Sequence, residues 1–230
     1  EEGLDKVVLK KLALKSSVPD ITQWNNFLTR HKNPKTEVTI GLIGKYVELQ
    51  DSYKSILESF IHAGAENEVK VNVESIHSEY LNDDNIKLKL SHLDGILVAP
   101  GFGERGIEGK INAIKYARIN KIPFLGICLG LQLSVIEFSR NVLKLKDANS
   151  SEFANTDNNV IGLLTEWLRE GKKEIRSKKS DVGGTMRLGA YPCKIEKNTL
   201  AYKIYKSAHI KERHRHRYEV NAEYEKKLSL

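Results

Sequence analysis

The stretch PFLGICLGLQ, residues 123–132, carries an apolar run into a cysteine that lies between two glycines. Gly126 precedes Cys128 by two residues and Gly130 follows it by two, which is the spacing of a nucleophile elbow with cysteine in place of serine. The backbone of such a turn is strained, so the two flanking positions must lack a Cβ atom for the turn to close. The stretch therefore predicts a strand, a sharp turn that carries the cysteine, and a helix.

The segments around this turn alternate between strand-like and helix-like patterns. Strands are predicted at 37–43, 69–76, 95–99 and 122–127, and helices at 51–61, 83–93, 107–119 and 129–140. Asp51 is expected to cap the first of these helices. The alternation indicates a parallel sheet that is covered by helices on both faces. After about residue 145 the pattern is looser, and further strands are predicted at 160–166, 185–195 and 213–221.

The composition is that of an ordinary globular protein with an excess of positive charge. Of the 230 residues 40% are hydrophobic, and the formal net charge is +7, which suits one sizeable core. Basic residues cluster at 169–179 and 203–217, but neither cluster has the interleaved aromatic residues that stack on bases. An anionic small molecule, or plain solvation, explains these clusters at least as well as a nucleic acid, so binding to nucleic acid is not expected.

The cysteine count and the apolar runs indicate a cellular location. Two cysteines do not make a disulfide framework, so a reducing cytoplasm is expected. No apolar run has the length that a bilayer requires, and the first residues lack the layout of a signal peptide. A membrane partner is therefore not expected.

Two interpretations of Cys128 follow from the residues alone. As a nucleophile it would lie at the N-terminus of a helix, which is expected to lower the pKa of its thiol, and the N–H of Leu129 would face an oxyanion. The alternative is a structural cysteine buried in a glycine-flanked turn. Cys193 lacks flanking glycines and is expected in the core.

The glycine-rich segment GFGERG, residues 101–106, has two possible uses. It matches the dinucleotide fingerprint, but that fingerprint needs an acidic residue about 20 positions further on, and none is present there. A better use is a loop that directs backbone N–H groups at an oxyanion. Its strand and the strand before Cys128 are joined by one helix, so their carboxyl ends can lie side by side.

Taken together, the motifs resemble a known family. GICLGLQ (126–132), APGFGERG (99–106) and NSSEF (149–153) are similar to the motifs of class I, triad-type glutamine amidotransferases. Longer blocks at 36–60, 179–193 and 212–221 resemble the carboxyl-terminal glutaminase domain of CTP synthases. The resemblance implies an α/β fold of flavodoxin-like type, a three-layer sandwich with a mostly parallel central sheet and an incomplete C-terminal end.

The resemblance also implies roles for individual residues. Cys128 would attack the side-chain amide of glutamine, and the backbone N–H groups of Leu129 and Gly101 would form the oxyanion hole. The residues expected to hold the substrate are Gln132, Glu152 and Arg217, and those at the family's GTP response or ammonia passage are Arg187 and Phe102. The chain departs from the family at Pro100, because the family has a glycine there and proline removes one backbone donor.

The resemblance also implies the domain boundaries, cofactors and partners of the whole enzyme. Residues 1–15 would be the end of a synthetase domain, 16–36 a linker, and 37–230 an amidotransferase domain that lacks its last segment. No cofactor is expected in this domain, while ATP, Mg²⁺ and the activator GTP would serve the whole enzyme. The expected partners are L-glutamine and the synthetase domain with its UTP and ATP, in a homotetramer that forms through that domain.

A thiol nucleophile needs a base, which the family supplies from a late strand with the pattern Phe-His-Pro-Glu. That pattern is absent here. In strand geometry His214 and His216 would share a face opposite Arg213, Arg215 and Arg217. That face has no acidic residue in this segment to orient an imidazole, so the two histidines are expected to be structural. Their cationic neighbours also make a zinc site improbable, and no metal site is expected.

The missing triad members are expected beyond residue 230, so the chain alone is expected to have little glutaminase activity. Two alternatives stay open at this point. One is another elbow-cysteine hydrolase, such as a γ-glutamyl hydrolase. The other is a catalytically silent regulatory or assembly module.

Overall fold

The computed structural model describes residues 3–15, 19–163, 166–169, 172–175 and 186–229. Its helices are α1 (Leu4–Lys11), α2 (Thr22–Lys32), α3 (Lys54–Asn67), α4 (Ile86–Leu90), α5 (Ile107–Asn120), α6 (Leu129–Asn141), α7 (Leu200–Tyr205) and α8 (Glu225–Leu228). Its strands are β1 (Thr36–Gly44), β2 (Val69–His77), β3 (Gly95–Val98), β4 (Phe124–Gly126), β5 (Asn149–Ser150), β6 (Asn159–Leu163), β7 (Glu166–Arg169), β8 (Lys172–Ile175), β9 (Arg187–Lys194), β10 (His209–His216) and β11 (Tyr218–Val220). The chain divides into two compact units, residues 1–38 with 55–72 and residues 39–54 with 73–230.

The central sheet has the strand order β2–β1–β3–β4. β3 pairs in parallel with β1 on one side and with β4 on the other. In this register Val98 lies opposite Ile43 and Gly126, so the loops that follow the three strands emerge at one edge. The expected α/β class with a mostly parallel central sheet is confirmed.

The core of the larger unit explains why these strands and helices form. All four residues of β3 are buried, as expected for a strand with neighbours on both sides and helices over it. α5 and α6 contribute apolar residues at helical spacing, among them Ile111, Ile114 and Leu133. This packing fixes the ends of β3 and β4, and with them the turn that carries Cys128.

The smaller unit has its own aromatic cluster. Trp24 stacks on Phe27 in α2 with ring centroids 5.5 Å apart, and Phe27 meets the ring of His62 edge-on at 5.4 Å. Arg30 pairs with Glu66 at 2.7 Å. The sequence predicts one or two helical turns within 16–36, and the helix there is longer, at 11 residues. The proposed boundaries at residues 15 and 36 stay predictions.

The later part of the larger unit contains three small sheets. β11, β6 and β5 form one, β9 and β10 another, and β7 and β8 a third. The prediction of a single strand over 213–221 is wrong, because β10 ends at His216 and β11 begins at Tyr218. The reason is that β11 pairs with β6 while β10 pairs with β9, so the chain must bend at Arg217 to change partners.

Two smaller predictions concern Asp51 and the basic cluster at 169–179. A 3-10 turn at Gln50–Tyr53 precedes α3, so Asp51 lies inside that turn and the prediction that it caps the helix is wrong. The side chains of 164–185, including the whole basic cluster at 169–179, lie outside the described residues. Among the helices that the structure describes, none combines the length and the apolarity needed to traverse a bilayer.

Candidate active site

The turn between β4 and α6 has the strained geometry that the sequence predicts. Cys128 has φ 53° and ψ −107°, a conformation that costs free energy for a residue with a side chain. A Cβ atom on Gly126 would lie 2.5 Å from the carbonyl carbon of Gly130, and one on Gly130 would collide with the carbonyl oxygen of Val98. Both glycines are therefore sterically required, which confirms the prediction made from their spacing.

The surroundings of the Cys128 thiol shift its pKa in opposite directions. Its Sγ lies 3.8 Å from the carbonyl oxygen of Arg215. Burial raises the pKa of the thiol, and the nearby Glu152 carboxylate raises it further, while the N–H of Leu129 and the amine of Lys110 lower it. Because burial outweighs the helix N-terminus, the pKa of Cys128 is above its ordinary value, and the expectation of a lowered pKa is wrong.

The loop after β3 is held from two sides. The ammonium group of Lys45, at the end of β1, donates to the carbonyl oxygens of Phe102 and Gly103. The N–H of Gly103 donates to Glu152 Oε1 at 3.1 Å. Gly101 lies directly over the lysine, since a Cβ atom there would be 3.2 Å from Lys45 Cε. The loop therefore stands in a defined position beside the cysteine turn.

Lys110 is a site residue that the sequence reasoning missed. Its side chain is fully buried in α5, and its Nζ donates to the carbonyl oxygen of Ala99 at 2.8 Å. Burial, with a contribution from the charge of Lys45, lowers the pKa of Lys110 to about 8. The available signal was its position, because it falls in an apolar helical stripe with Ile107, Ile111 and Ile114.

The bend between β10 and β11 contacts the cysteine turn and α6 through Arg215 and Tyr218. Gln132, four residues after Cys128 and only 8% exposed, donates through Nε2 to the carbonyl oxygen of Tyr218 at 2.8 Å. Arg217 occupies the bend and is half-buried. Its Nε is buried and has no hydrogen-bond acceptor among the described residues, so this guanidinium has unused donor capacity.

The two late histidines contact each other. His214 Nδ1 lies 2.8 Å from His216 Nε2, and His216 Nδ1 lies 3.1 Å from the carbonyl oxygen of Tyr218. Because a carbonyl only accepts, His216 carries its proton on Nδ1, and its Nε2 accepts from His214 when both rings are neutral. Burial lowers the pKa of both imidazoles. These contacts favour the structural interpretation of the pair.

The remaining predicted residues lie in two places. Arg187 Nη1 is 3.4 Å from a Glu219 oxygen, and its guanidinium lies 5.3 Å from the ring centroid of Tyr191. Phe102 belongs to the loop beside the cysteine, and its side chain is 59% exposed. Cys193 is exposed in β9, so the prediction that it lies in the core is wrong. Among the described strands, β9 pairs with β10 alone.

One His-x-Glu pair exists early in the sequence, at His77 and Glu79, outside the late strands where the family pattern is expected. The ring of His77 packs on Tyr80 at 4.6 Å, and Glu79 pairs with Arg105 at 2.6 Å. Neither residue is among the groups that shift the pKa of Cys128. The pair is thus engaged in other contacts. Among the described residues, no cluster of three or more histidines, cysteines or carboxylates could hold a metal ion.

Comparisons with known proteins identify the family of the chain. The family model of class-I glutamine amidotransferases matches residues 48–229. The chain is 65% identical over 230 residues to a CTP synthase of Christiangramia forsetii, with 99% of the chain and 40% of the relative covered. A CTP synthase of Methanocaldococcus jannaschii is 56% identical, with 97% and 41% covered. The chain thus spans about 40% of the length of these curated relatives.

A solved structure is similar over most of its length. The glutaminase domain of Trypanosoma brucei CTP synthase with bound acivicin has a TM-score of 0.73 and 39% identity, and the match covers 84% of this chain and 71% of that one. The family model covers more than half of this chain, and the solved structure shares its fold. The chain belongs to the class-I glutamine amidotransferase family.

Proposed function

We propose that this chain hydrolyses the side-chain amide of L-glutamine and supplies the ammonia for the ATP-dependent amination of UTP to CTP in a longer enzyme. The observation that carries the proposal is the strained Cys128 turn beside the loop of Gly101. The similarity to CTP synthases supports the second half of the proposal.

The reaction is written as two displacements at the amide carbon. The Cys128 thiolate forms a bond to that carbon and pushes an electron pair onto the amide oxygen, where the N–H groups of Leu129 and Gly101 would stabilise it. When the carbonyl re-forms, the carbon–nitrogen bond breaks, and the nitrogen takes the proton given up by the thiol and leaves as ammonia. Water then attacks the thioester, which yields glutamate and restores the thiol.

Three residues would position glutamine for this attack. Arg217 is assigned to the α-carboxylate, because its buried Nε has an unused donor beside the cysteine turn. Glu152 is assigned to the α-ammonium group, since its carboxylate is close enough to act on the Cys128 thiol. Gln132 would complete the pocket from α6, where its amide already fixes the backbone at Tyr218.

The reaction needs a base that takes the proton of the Cys128 thiol. Among the described residues, the hydrogen-bond partner of the Cys128 thiol is the carbonyl oxygen of Arg215, while His214 and His216 bond to each other and to the carbonyl oxygen of Tyr218. We therefore expect the 230-residue chain alone to release ammonia from glutamine far more slowly than a complete triad would, since loss of a triad member costs about 10³-fold or more. Ammonia release at full amidotransferase rates would contradict this.

The same proposal covers the nucleotides, the assembly and the other domain of the longer enzyme. ATP, Mg²⁺ and UTP would be bound by a synthetase domain, GTP would act as activator, and that domain would assemble a homotetramer in the cytoplasm. Arg187 and Phe102 are assigned to the GTP response or the ammonia passage. Residues 1–15 and 16–36 are assigned to the end of the synthetase domain and to a linker.

Labelling with acivicin, an amino acid whose ring carbon alkylates thiols, tests the proposal. The Cys193→Ser variant should take up one acivicin at Cys128, as measured by intact and peptide mass spectrometry, and L-glutamine should protect it while D-glutamine should not. The double variant Cys128→Ser, Cys193→Ser should take up none. Labelling that glutamine does not slow would contradict the proposal and favour a catalytically silent module.

A further inference from the structure

Lys110 is a buried cation for which the fold alone gives no reason. Its side chain has no exposed surface and occupies a place in the apolar stripe of α5. Burying an ammonium group costs several kcal/mol unless it is paired, and an apolar residue would fill the same position without that cost. Within the described ranges its Nζ has one hydrogen-bond partner, the carbonyl oxygen of Ala99.

The location of the ammonium group relates it to the cysteine turn. Ala99 is the first residue after β3, two positions before Gly101. A Cβ atom on Gly101 would lie 3.7 Å from Lys110 Nζ, so the ammonium group lies directly beneath the loop glycine. The thiol of Cys128 and the amine interact electrostatically in both directions, each favouring the charged form of the other.

We propose that Lys110 is a positioning residue for the hydrolysis of glutamine: its ammonium group fixes the start of the Gly101 loop and favours the thiolate of Cys128. The inference rests on the proposed function of Cys128. Lys110 lies beneath the loop of Gly101 and would act through that loop and through the sulfur of Cys128, without contacting the substrate.

The charges around the ammonium group set the sign of the effect. The groups that act on its pKa are Lys45, at the end of β1, and Cys128, before α6. Glu152 acts on the sulfur and raises the pKa of the Cys128 thiol. Lys45 disfavours the charge on Lys110, and a thiolate at Cys128 favours it. Near pH 8 the amine of Lys110 loses its proton, and with it the positive charge that favours the thiolate of Cys128. The reactivity of the thiol therefore depends on whether the amine is protonated.

Alkylation by iodoacetamide tests the thiolate part. In the Cys193→Ser background, the alkylation rate of Cys128 is measured between pH 6 and pH 10 for the parent and for Lys110→Met. The parent should show a shallow profile with two transitions, and Lys110→Met a single steeper one. At pH 7 the variant should react about tenfold more slowly, the effect of one pKa unit on the thiolate fraction. A superimposable profile would overturn this part of the proposal.

Two further variants separate position from charge and from folding. Lys110→Gln keeps a donor for Ala99 without the charge, so it should label with acivicin faster than Lys110→Met while its iodoacetamide rate stays low. Lys115→Met makes the same change on another face of α5 and should behave as the parent. Lys110→Met should melt at the same temperature as the parent or higher; a fall in both melting temperature and reactivity for both Lys110 variants would reduce Lys110 to a structural role and overturn the proposal.

The two proposals fail in different ways. Iodoacetamide requires no glutamine site, so its pH profile reports on Lys110 even if the chain does not bind glutamine. Acivicin labelling that ignores glutamine in the parent would overturn the proposed function, while an unchanged iodoacetamide profile would overturn the role of Lys110.

Discussion

The two sides of the cysteine turn are built in different ways. The strand-end side, made of the residues that follow β1 and β3 together with Lys110, consists of groups fixed by adjacent parallel strands, and both of its lysines are buried. The late side, made of β9, β10 and β11, consists of a two-stranded ladder and a short strand in another sheet. Arg213 and Arg215 are exposed there, and the two histidines are only half-buried.

The difference indicates a division of tasks. Groups that must hold a transition state need rigid placement, and the strand-end side offers it because sheet and core fix each backbone atom. Groups that bind the ends of an amino acid tolerate a more exposed frame. The following variants test this contrast, from the largest expected effect to the smallest.

Gly130→Ala should have the largest effect, because its Cβ atom would collide with the carbonyl oxygen of Val98. We expect a loss of about 3 kcal/mol in the free energy of unfolding, or about 6–12 °C in melting temperature, measured by differential scanning calorimetry. Gly162→Ala in β6, where Gly162 pairs with Glu219 of the late side, is the matched control, since its Cβ atom would meet nothing within 4 Å. Equal losses for the two variants would remove the contrast in rigidity.

Arg217→Ala should weaken binding on the late side without changing the thiol. Loss of a charge-assisted hydrogen bond of about 2 kcal/mol raises the acivicin concentration for half-maximal labelling roughly 30-fold, while the iodoacetamide rate stays at the parent value. The exposed Arg213→Ala is the control and should change neither quantity. A normal acivicin dependence in Arg217→Ala would exclude its assignment to the α-carboxylate.

Lys45→Met should separate the loop from the sulfur. Without its donors to Phe102 and Gly103, the loop loses support, and acivicin labelling should slow about three- to tenfold. The charge of Lys45 lowers the pKa of Lys110, so its removal keeps Lys110 protonated to higher pH and favours the thiolate. Iodoacetamide alkylation near pH 8 should therefore stay constant or rise; a parallel fall in both rates would indicate general disruption.

His214→Phe should have the smallest effect. Burial places the pKa of folded His214 below the ordinary 6.5, so the unfolded chain binds more protons and stability is lost as the pH falls through 6.5 towards the folded pKa. The parent should therefore lose melting temperature between pH 8 and pH 5.5 by about 1–2 °C more than the variant. A large loss of acivicin labelling at pH 8 would instead give the histidine a part in the reaction.

The strand-end side was largely predictable from the sequence. The glycines around Cys128 encode a steric requirement that local spacing reveals, and the alternation of strands and helices places the Gly101 loop beside the turn. The burial of Lys45 and Lys110 was not predicted, because a lysine in a sequence normally indicates a solvated surface. The one indication was the position of Lys110 within an apolar helical stripe.

The late side was less predictable because its structure depends on distant partners. The alternation in RHRHRYEVN, residues 213–221, is that of a continuous strand, and the break at Arg217 arises only because β6 accepts β11. The same limit applies to the thiol of Cys128. A helix N-terminus is visible in the sequence, but the burial that raises the pKa of the thiol depends on which segments cover it, including the backbone of Arg215.

The bend at Arg217 has a mechanical consequence. This single residue joins a strand of the β9–β10 ladder to a strand of the β11–β6–β5 sheet. A carboxylate bound to its guanidinium would therefore act on both sheets at once: on β10, where His216 lies opposite Arg187, and on β11, where Tyr218 lies opposite Leu163 of β6.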